Sequence, residues 1–323
     1  MDKNYLLTPG PTPLPPYVCE ALAQPIIHHR TPQFQRILKE VFEGLKYIFQ
    51  TTNDVFLFAS SGTGAMEAAV VNTINVNDKV IVVESGKFGE RWVELASMAR
   101  AQVVVIGVEW GKAVDPNRIK KKLENDPGIK AVFVTHCETS TGASSDIKAL
   151  GDVIKNTNAI LVVDAISSLG SLDVKTDEWS LDMVVSGSQK GLMLPPGLGF
   201  ISVSKKAQAF IEACRSPRYY FDLRLAKKAL ADTDTAFTPA IGLIIALNEV
   251  LKNMRSEGLE AIFARNRKLA AATRTAMTAL GLELFAPTAA SDAVTAIKVP
   301  AGIDGEKLVK TMRDEYGVVM AGG

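Results

Sequence analysis

Seven short runs of mostly β-branched and aliphatic residues recur along the first two thirds of the chain, with longer helical patterns between them. Runs that are apolar on both faces, and separated by helices, are typical of a mainly parallel sheet covered on both sides. The fold class is therefore predicted to be α/β. The predicted strands are 55–59, 79–85, 102–108, 130–136, 159–165, 182–188 and 198–204.

Helical patterns fill the gaps between these runs. They predict helices over 64–75, 89–100, 116–125 and 146–156, with Asp146 as an N-cap. The seventh run follows the sixth after only a short Pro/Gly loop, which is too short for a helical crossover. We therefore expect these two strands to be antiparallel or not to be neighbours.

The last third of the chain has a different pattern. Two long amphipathic segments are separated by Gly258, and a small unit follows with predicted strands at 283–286, 294–299 and 317–321 and a helix at 304–315. We expect an N-terminal arm (1–17), a large domain (18–255) and a smaller α/β domain (256–323). Because the last unit is small for an independent core, we expect a C-terminal piece to be absent from this sequence.

Composition excludes several classes of function. The 323 residues carry 36 basic and 35 acidic side chains, so neither a nucleic-acid nor an anionic-membrane partner is suggested. Three widely spaced cysteines and three histidines argue against a disulfide framework and against a metal site. Without a signal or membrane-spanning pattern, a cytoplasmic protein is expected.

A glycine-rich turn in "FASSGTGAMEAAV" (58–70) joins a strand to a helix. Such a turn places free N–H groups and the positive end of the helix dipole together, which suits a phosphate. Ser61 and Thr63 add hydroxyl donors. A turn that needs glycine only for its shape is an equally good interpretation of this motif alone, and neither the Rossmann nor the P-loop pattern is met.

Three further strand ends carry polar residues. Asp164 ends one run, and Lys190 follows another in a segment rich in Ser, Gly and Pro. The hydroxyl-rich loop "ETSTG" (138–142) follows a third, although such loops are commonly simple turns. A nucleophilic dyad of His136 and Cys137 is disfavoured, because adjacent strand residues point to opposite faces.

Together these parts match pyridoxal 5′-phosphate. That cofactor requires a lysine amine for a Schiff base, a carboxylate facing its ring nitrogen, and a helix N-terminus for its phosphate. The strand ends of one sheet supply all of them.

The chain resembles the class V, fold type I pyridoxal-phosphate aminotransferases, and within them the alanine–glyoxylate and serine–glyoxylate (serine–pyruvate) group. The resemblance runs from "LLTPGPTPLPP" through "HHRTPQF", "SGTGAMEAA", "GKFGERW", "ETSTG" and "VVDAISSLG" to "SGSQKGLMLPPGLG" and "FTPAIGL". It implies the aspartate aminotransferase-like fold, a ping-pong exchange between a small amino acid and glyoxylate or pyruvate, and a homodimer with shared active sites.

The resemblance also implies roles for individual residues. Lys190 corresponds to the lysine that bonds the cofactor, and Asp164 to the ionised partner of its ring nitrogen. Gly10 is implied to lie near the substrate. The remaining implied cofactor contacts are Ser61, Gly62 and Thr63 at the phosphate, joined there by Ser188 or Gln189, Phe88 and Ile166 on the two ring faces, Thr139 near the ring oxygen, and Thr235 and Thr238 reaching the neighbouring subunit.

One family feature is not found in this sequence. The arginine that holds the substrate carboxylate lies, in the family, beyond the point where this sequence ends, so impaired turnover is expected. Two alternatives therefore stay open. One is a cofactor-binding but catalytically impaired chain. The other is a lyase or desulfurase of the same class, which is disfavoured because Gln189, not His, precedes Lys190 and no cysteine follows Cys214.

Overall fold

The computed structural model describes residues 5–322; residues 1–4 of the predicted arm and Gly323 lie outside the described residues. The strands are β1 (Tyr5–Leu6), β2 (Asp54–Phe58), β3 (Lys79–Glu84), β4 (Gln102–Gly107), β5 (Ile129–Thr135), β6 (Cys137–Glu138), β7 (Ala143–Ser144), β8 (Ile160–Asp164), β9 (Met183–Gly187), β10 (Gly199–Val203) and β11 (Val318–Val319). The helices are α1 (Pro16–Leu22), α2 (Pro32–Phe49), α3 (Gly62–Thr73), α4 (Lys87–Met98), α5 (Pro116–Asn125), α6 (Ile147–Ile154), α7 (Lys205–Ala213), α8 (Leu223–Ala231), α9 (Ile241–Glu257), α10 (Leu259–Ala279) and α11 (Gly305–Tyr316).

The seven predicted strands form one seven-stranded sheet in the order β2-β10-β9-β8-β5-β3-β4. All neighbours are parallel except those of β10, which is antiparallel to both β9 and β2. The predicted α/β class and the antiparallel relation of the last two strands are therefore confirmed.

Strand β5 shows why the runs are apolar throughout. Val132 and Val134 belong to the core on one face, with Phe34 of α2. The alternating residue Phe133 belongs to the core on the other face, where it packs against Trp92 of α4 with ring centroids 5.0 Å apart. Since side chains alternate across a strand, a sheet covered on both faces requires apolar residues at every position.

Neighbouring residues explain where several helices begin or end. Asp146 caps α6, as predicted, by accepting a hydrogen bond from the N–H of Ala149 at 2.9 Å. Helix α3 begins at Gly62, two residues earlier than predicted, because Ser61 takes the N-cap position in an extended conformation. The predicted break at Gly258 is confirmed: its φ of 84° lies in the region that favours glycine and separates α9 from α10.

The predicted sheet of the last unit is wrong. Residues 283–286 and 294–299 run antiparallel but form only an isolated bridge, Leu284 with Ile297. Pro287 and Pro300 follow the two runs and limit how far the pairing can extend, because proline lacks the N–H that a ladder needs. The last strand, β11, instead pairs in parallel with β1 at the other end of the chain.

Over residues 5–322, each helix is either too short or too polar to cross a bilayer.

Candidate active site

The predicted site residues gather at the carboxyl ends of the parallel strands. Strand β8 ends at Asp164, and the segment that carries Lys190 begins directly after β9. The Thr139 loop follows β5. Because β5, β8 and β9 are adjacent and parallel, their ends meet at one edge of the sheet, where α/β proteins bind ligands.

Asp164 is buried, with 3 % of its surface exposed. Its Oδ1 accepts a hydrogen bond from the N–H of Ile166 at 2.8 Å. Burial raises the pKa of Asp164 to about 7, and the nearby Glu138 contributes in the same direction. In the chain alone the ionised form expected from the sequence is therefore disfavoured, and a positively charged partner at this carboxyl would restore it.

Lys190 lies in a half-buried position beside the N-terminal arm. Burial lowers the pKa of Lys190, and Asp164 partly opposes that shift. A Cβ at Gly10 would lie 2.7 Å from the main-chain oxygen of Gln189 and 3.0 Å from Cε of Lys190. Thr12 donates to the Lys190 carbonyl at 3.4 Å. The structure thus brings Gly10 against Lys190, and only glycine fits there.

The start of α3 lies next to these residues. A Cβ at Gly62 would lie 2.6 Å from Cδ1 of Ile166, so the helix start packs directly on the loop that follows β8. The Ser61 side chain forms no capping bond to this helix. The side-chain amide of Gln189 also lies near the start of α3. Its buried Oε1 has no hydrogen-bond partner within the described residues. A Cβ at Gly187 would touch both Gln189 Oε1 and Gly62 N, at 3.1 and 3.3 Å.

Ser188 is placed differently from the other predicted phosphate contacts. Its hydroxyl donates to the Pro195 carbonyl at 2.7 Å and accepts from the Leu198 N–H at 3.2 Å. Both bonds lie within the loop between β9 and β10. The hydroxyl therefore holds this loop closed, whereas the neighbouring Gln189 side chain remains available.

Phe88 and Thr139 border the site from the other side. Phe88 lies in the first turn of α4 and is half-buried. The Thr139 hydroxyl forms a short hydrogen bond with Ser167, close to Asp164 in sequence. Thr139 therefore lies beside the loop after β8, and Phe88 lies at the start of the helix that follows β3.

Arg91 was not singled out from the sequence. Its Nη1 donates to Thr63 Oγ1 at 3.2 Å, and its guanidinium carbon lies 4.9 Å from the centroid of the Phe88 ring. It therefore brings a positive charge to the start of α3. The signal that could have found it is the spacing of three between Phe88 and Arg91, which places them on one helix face.

Thr235 and Thr238 lie apart from these groups. They line a surface cleft with Phe42, Tyr220 and the end of β2. The Thr235 hydroxyl donates to the Phe237 carbonyl at 2.8 Å. Among residues 5–322, no hydrogen bond joins this loop to Asp164 or Lys190.

His136 and Cys137 do not meet, as predicted. His136 Nδ1 is hydrogen-bonded to Ser168 Oγ at 2.9 Å, whereas the Cys137 thiol donates to Ser291 Oγ at 3.1 Å. Burial lowers the pKa of His136 to about 4 and raises the pKa of Cys137 to about 12. Among residues 5–322, no cluster of three His, Cys, Asp or Glu side chains could hold a metal ion.

These residues fit pyridoxal phosphate. A buried carboxyl has a raised pKa, a half-buried lysine has a lowered pKa, and the N-terminus of α3 lies beside Ser61, Thr63 and the Gln189 amide, whose buried Oε1 has no hydrogen-bond partner within the described residues. The cofactor needs these three features for its ring nitrogen, its aldehyde and its phosphate.

Comparisons with known proteins find relatives that match nearly the whole chain. A protein of Anabaena cylindrica named "Soluble hydrogenase 42 kDa subunit" is 44% identical over 100% of this chain and 85% of its own length. The L-aspartate–glyoxylate aminotransferase of Paracoccus denitrificans is 40% identical over 100% of this chain and 83% of its own length. The serine–glyoxylate aminotransferase of Methylorubrum extorquens is also 40% identical, over 99% of this chain and 83% of its own length.

The fold is similar to that of solved aminotransferases. The crystal structure of alanine–glyoxylate aminotransferase from Nostoc sp. matches with a TM-score of 0.96 and 29% identity, covering 100% of this chain and 87% of that one. The family described as "Aminotransferase class-V" matches residues 4–323. The chain therefore belongs to the class V aminotransferases, which depend on pyridoxal phosphate.

Proposed function

We propose that this enzyme transfers the amino group of a small amino acid, alanine or serine, to glyoxylate or pyruvate. Two relatives act on glyoxylate by name and one of them uses serine; the Nostoc enzyme is an alanine–glyoxylate aminotransferase. The observation that carries the proposal is the close approach of Gly10 to Lys190. The main chain of Gly10 packs against the Lys190 side chain, and we infer that this packing favours substrates with little or no side chain.

Lys190 is proposed to hold the cofactor and to move the proton. When bound, pyridoxal phosphate supplies an aldehyde carbon for the amino group and a ring that accepts electrons released at Cα. Once displaced, the Lys190 amine takes the proton from Cα of the donor. It must be uncharged to do so, and burial supports this by lowering the pKa of Lys190.

Asp164 and the start of α3 are proposed to orient the cofactor. The Asp164 carboxyl is buried at the edge of the sheet. There it would accept a hydrogen bond from the protonated ring nitrogen, whose positive charge would favour the ionised form of Asp164. Ser61, Gly62, Thr63 and Gln189 would surround the phosphate, with Arg91 adding positive charge through its contact with Thr63. Phe88, Thr139 and Ile166 would fix the ring.

A homodimer is part of this proposal. Thr235 and Thr238 form no hydrogen bond to Lys190 or Asp164 of their own subunit. They lie on a loop beside exposed aromatic residues. Tyr219 is 74% exposed, and Tyr220 stacks on Phe237 at 5.2 Å between ring centroids. An aromatic surface of this kind suits burial against a second copy, whose active site the loop would complete.

We also propose the division into an arm (1–17), a large domain (18–255) and a small domain (256–323). The break at Gly258 supports the second boundary. Helix α9 packs mainly on α1 and α2, and therefore on the large unit.

The test is the visible absorption spectrum of the purified chain with added pyridoxal phosphate. We expect a yellow band that bleaches when alanine or serine is added and returns with glyoxylate or pyruvate. The amino acid that bleaches the band identifies the donor.

Lys190→Ala is the control for the residue assignment. Its bound cofactor should not become covalently attached on borohydride reduction, whereas that of the wild type should. A wild-type band that forms but never bleaches would favour the cofactor-binding alternative. Release of sulfide or another elimination product without transfer would favour the lyase alternative.

A further inference from the structure

Glu138 is a buried carboxyl that accepts several hydrogen bonds from N–H and O–H donors. It is 1 % exposed, and it lies on β6 immediately before Thr139. It accepts from the main-chain N–H groups of Phe88 at 3.2 Å and Gly89 at 3.1 Å. It also accepts from the Ser140 N–H at 3.2 Å and the Ser140 hydroxyl at 2.6 Å.

These contacts provide hydrogen-bond acceptors for the main-chain N–H groups at the start of α4, and the acceptors come from a distant part of the sequence. The first N–H groups of a helix have no partner within the helix, and the N-cap residue here is Gly86, which has no side chain to offer. Glu138 takes the N–H groups of Phe88 and Gly89, while the Ser140 hydroxyl accepts that of Lys87 at 3.1 Å. A carboxylate at a helix start is also favoured by the helix dipole.

The packing around the N-cap position of α4 leaves no room for a residue other than glycine. A Cβ at Gly86 would lie 2.5 Å from Cδ and Cγ of Glu138 and 2.5 Å from Ser140 Oγ. The glutamate side chain therefore occupies the space that a normal capping side chain would fill. Helix α4 is held by the loop after β5 and not by its own N-cap residue.

We propose that Glu138 is a positioning residue for the cofactor ring. It fixes the main chain of Phe88 relative to Thr139, its own neighbour in sequence. These are the two residues proposed above for the ring face and the ring oxygen, so the inference rests on the proposed function. Glu138 does not itself touch the cofactor; it sets the distance between two groups that do.

Glu138→Gln is the direct test. Glutamine keeps the size of the side chain but replaces one acceptor oxygen by an NH₂ group, which would face an N–H donor. The dissociation constant for pyridoxal phosphate should rise by about tenfold or more, because hydrogen bonds to a charged group are lost. The visible circular dichroism of the bound cofactor should also change, since that band reports the orientation of the ring.

Asp177→Asn is the control at a carboxyl that also accepts several hydrogen bonds but is exposed. Asp177 also accepts several hydrogen bonds, from Thr51, Thr52 and Asn53, but at the opposite edge of the sheet, before β2 begins. This variant should lower the urea midpoint and leave the cofactor affinity and its dichroism unchanged. A purely structural role for Glu138 would make the two variants behave alike.

Ser140→Ala keeps the test decisive if Glu138→Gln does not fold. It removes the hydroxyl that donates to Glu138 and accepts from the Lys87 N–H, and it should weaken cofactor binding in the same direction by about two- to tenfold. Wild-type affinity and dichroism in whichever of these two variants folds would overturn the inference. A wild-type protein that does not bind pyridoxal phosphate would instead overturn the proposed function.

Discussion

At the scale of single residues, burial decides the chemistry of the site. Asp164 and His136 lie side by side at the strand ends, and the N–H of His136 donates to the Asp164 carbonyl at 2.9 Å. Burial raises the pKa of Asp164 to about 7 and lowers the pKa of His136 to about 4. Both shifts have one cause, because a low-dielectric environment disfavours the charged form of either group.

Asp164 should therefore make the cofactor-free protein less stable as the pH rises. Its folded pKa of about 7 exceeds the ordinary value of 3.8, so between these values the unfolded chain releases a proton that the folded chain keeps. The free energy of unfolding of Asp164→Asn minus that of the wild type should rise by about 1.4 kcal/mol per pH unit in this window. Urea unfolding of both proteins at several pH values between about 4 and 8 measures this difference.

His136 acts in the opposite sense over a similar range. Its folded pKa of about 4 lies below the ordinary 6.5, so its contribution to stability increases as the pH rises through that interval. This contribution is present in both proteins and cancels in the difference. A difference that stays constant with pH would show that Asp164 is not buried as described.

At the scale of elements, the start of α3 is the critical contact. It meets the loop after β8 through Gly62 and Ile166, and the loop after β9 through Gly187 and Gln189. The helix can approach both loops only because no side chain intervenes. This approach brings the free N–H groups of the helix start to the edge of the sheet.

Gly62→Ala should separate this helix from the Asp164 loop. The added Cβ would lie 2.6 Å from Cδ1 of the buried Ile166. Overpacking of this kind costs about 1–3 kcal/mol of stability, and we also expect weaker binding of pyridoxal phosphate. Urea unfolding of the cofactor-free protein and a fluorescence titration with the cofactor measure the two effects.

Gly242→Ala is the control for that substitution. Gly242 lies in the first turn of α9, and an added Cβ there would have no atom within 4 Å. Alanine should be neutral or slightly stabilising at this position, with cofactor affinity unchanged. Equal effects of the two substitutions would argue against a specific contact between Gly62 and Ile166.

At the scale of the whole molecule, the two ends of the chain meet. Tyr5 N–H donates to the Gly317 carbonyl at 2.8 Å, and Leu7 N–H donates to the Val319 carbonyl at 2.9 Å. The segment between β1 and α1 then carries Gly10 to Lys190. The C-terminal unit is thereby linked through the arm to the candidate active site.

The proposed dimer predicts complementation between inactive variants. Lys190→Ala should be inactive, and a Thr235→Ala/Thr238→Ala double variant should bind the cofactor weakly. If one subunit supplies Lys190 and the other supplies the two threonines, each mixed dimer contains one intact site. Refolding an equal mixture should therefore recover about a quarter of wild-type activity, measured as glyoxylate-dependent transamination.

Sedimentation analysis of the wild type provides the control for that experiment. A mass of two chains is expected. A monomer, or a mixture no more active than its better component, would count against shared sites.

The sequence by itself determined the sheet and most of the residues at its edge. The seven apolar runs predicted every strand of the main sheet, because strands buried on both faces need apolar residues at each position. Asp164 and Lys190 could be placed near each other for the same reason, since parallel strands end at one edge. The Asp146 cap and the break at Gly258 are likewise local and readable from the sequence.

Only the tertiary structure decided the contacts that link distant segments. Three such contacts are the pairing of β1 with β11, the single bridge in place of the predicted C-terminal sheet, and the hydrogen bonds of the Ser188 hydroxyl within its own loop. Each depends on which partner the fold brings within hydrogen-bond distance. The capping of α4 by Glu138 joins residues about fifty positions apart. Periodicity records which face of an element is buried but not what lies against it, and the pKa shifts of Asp164 and Lys190 follow from that surrounding packing.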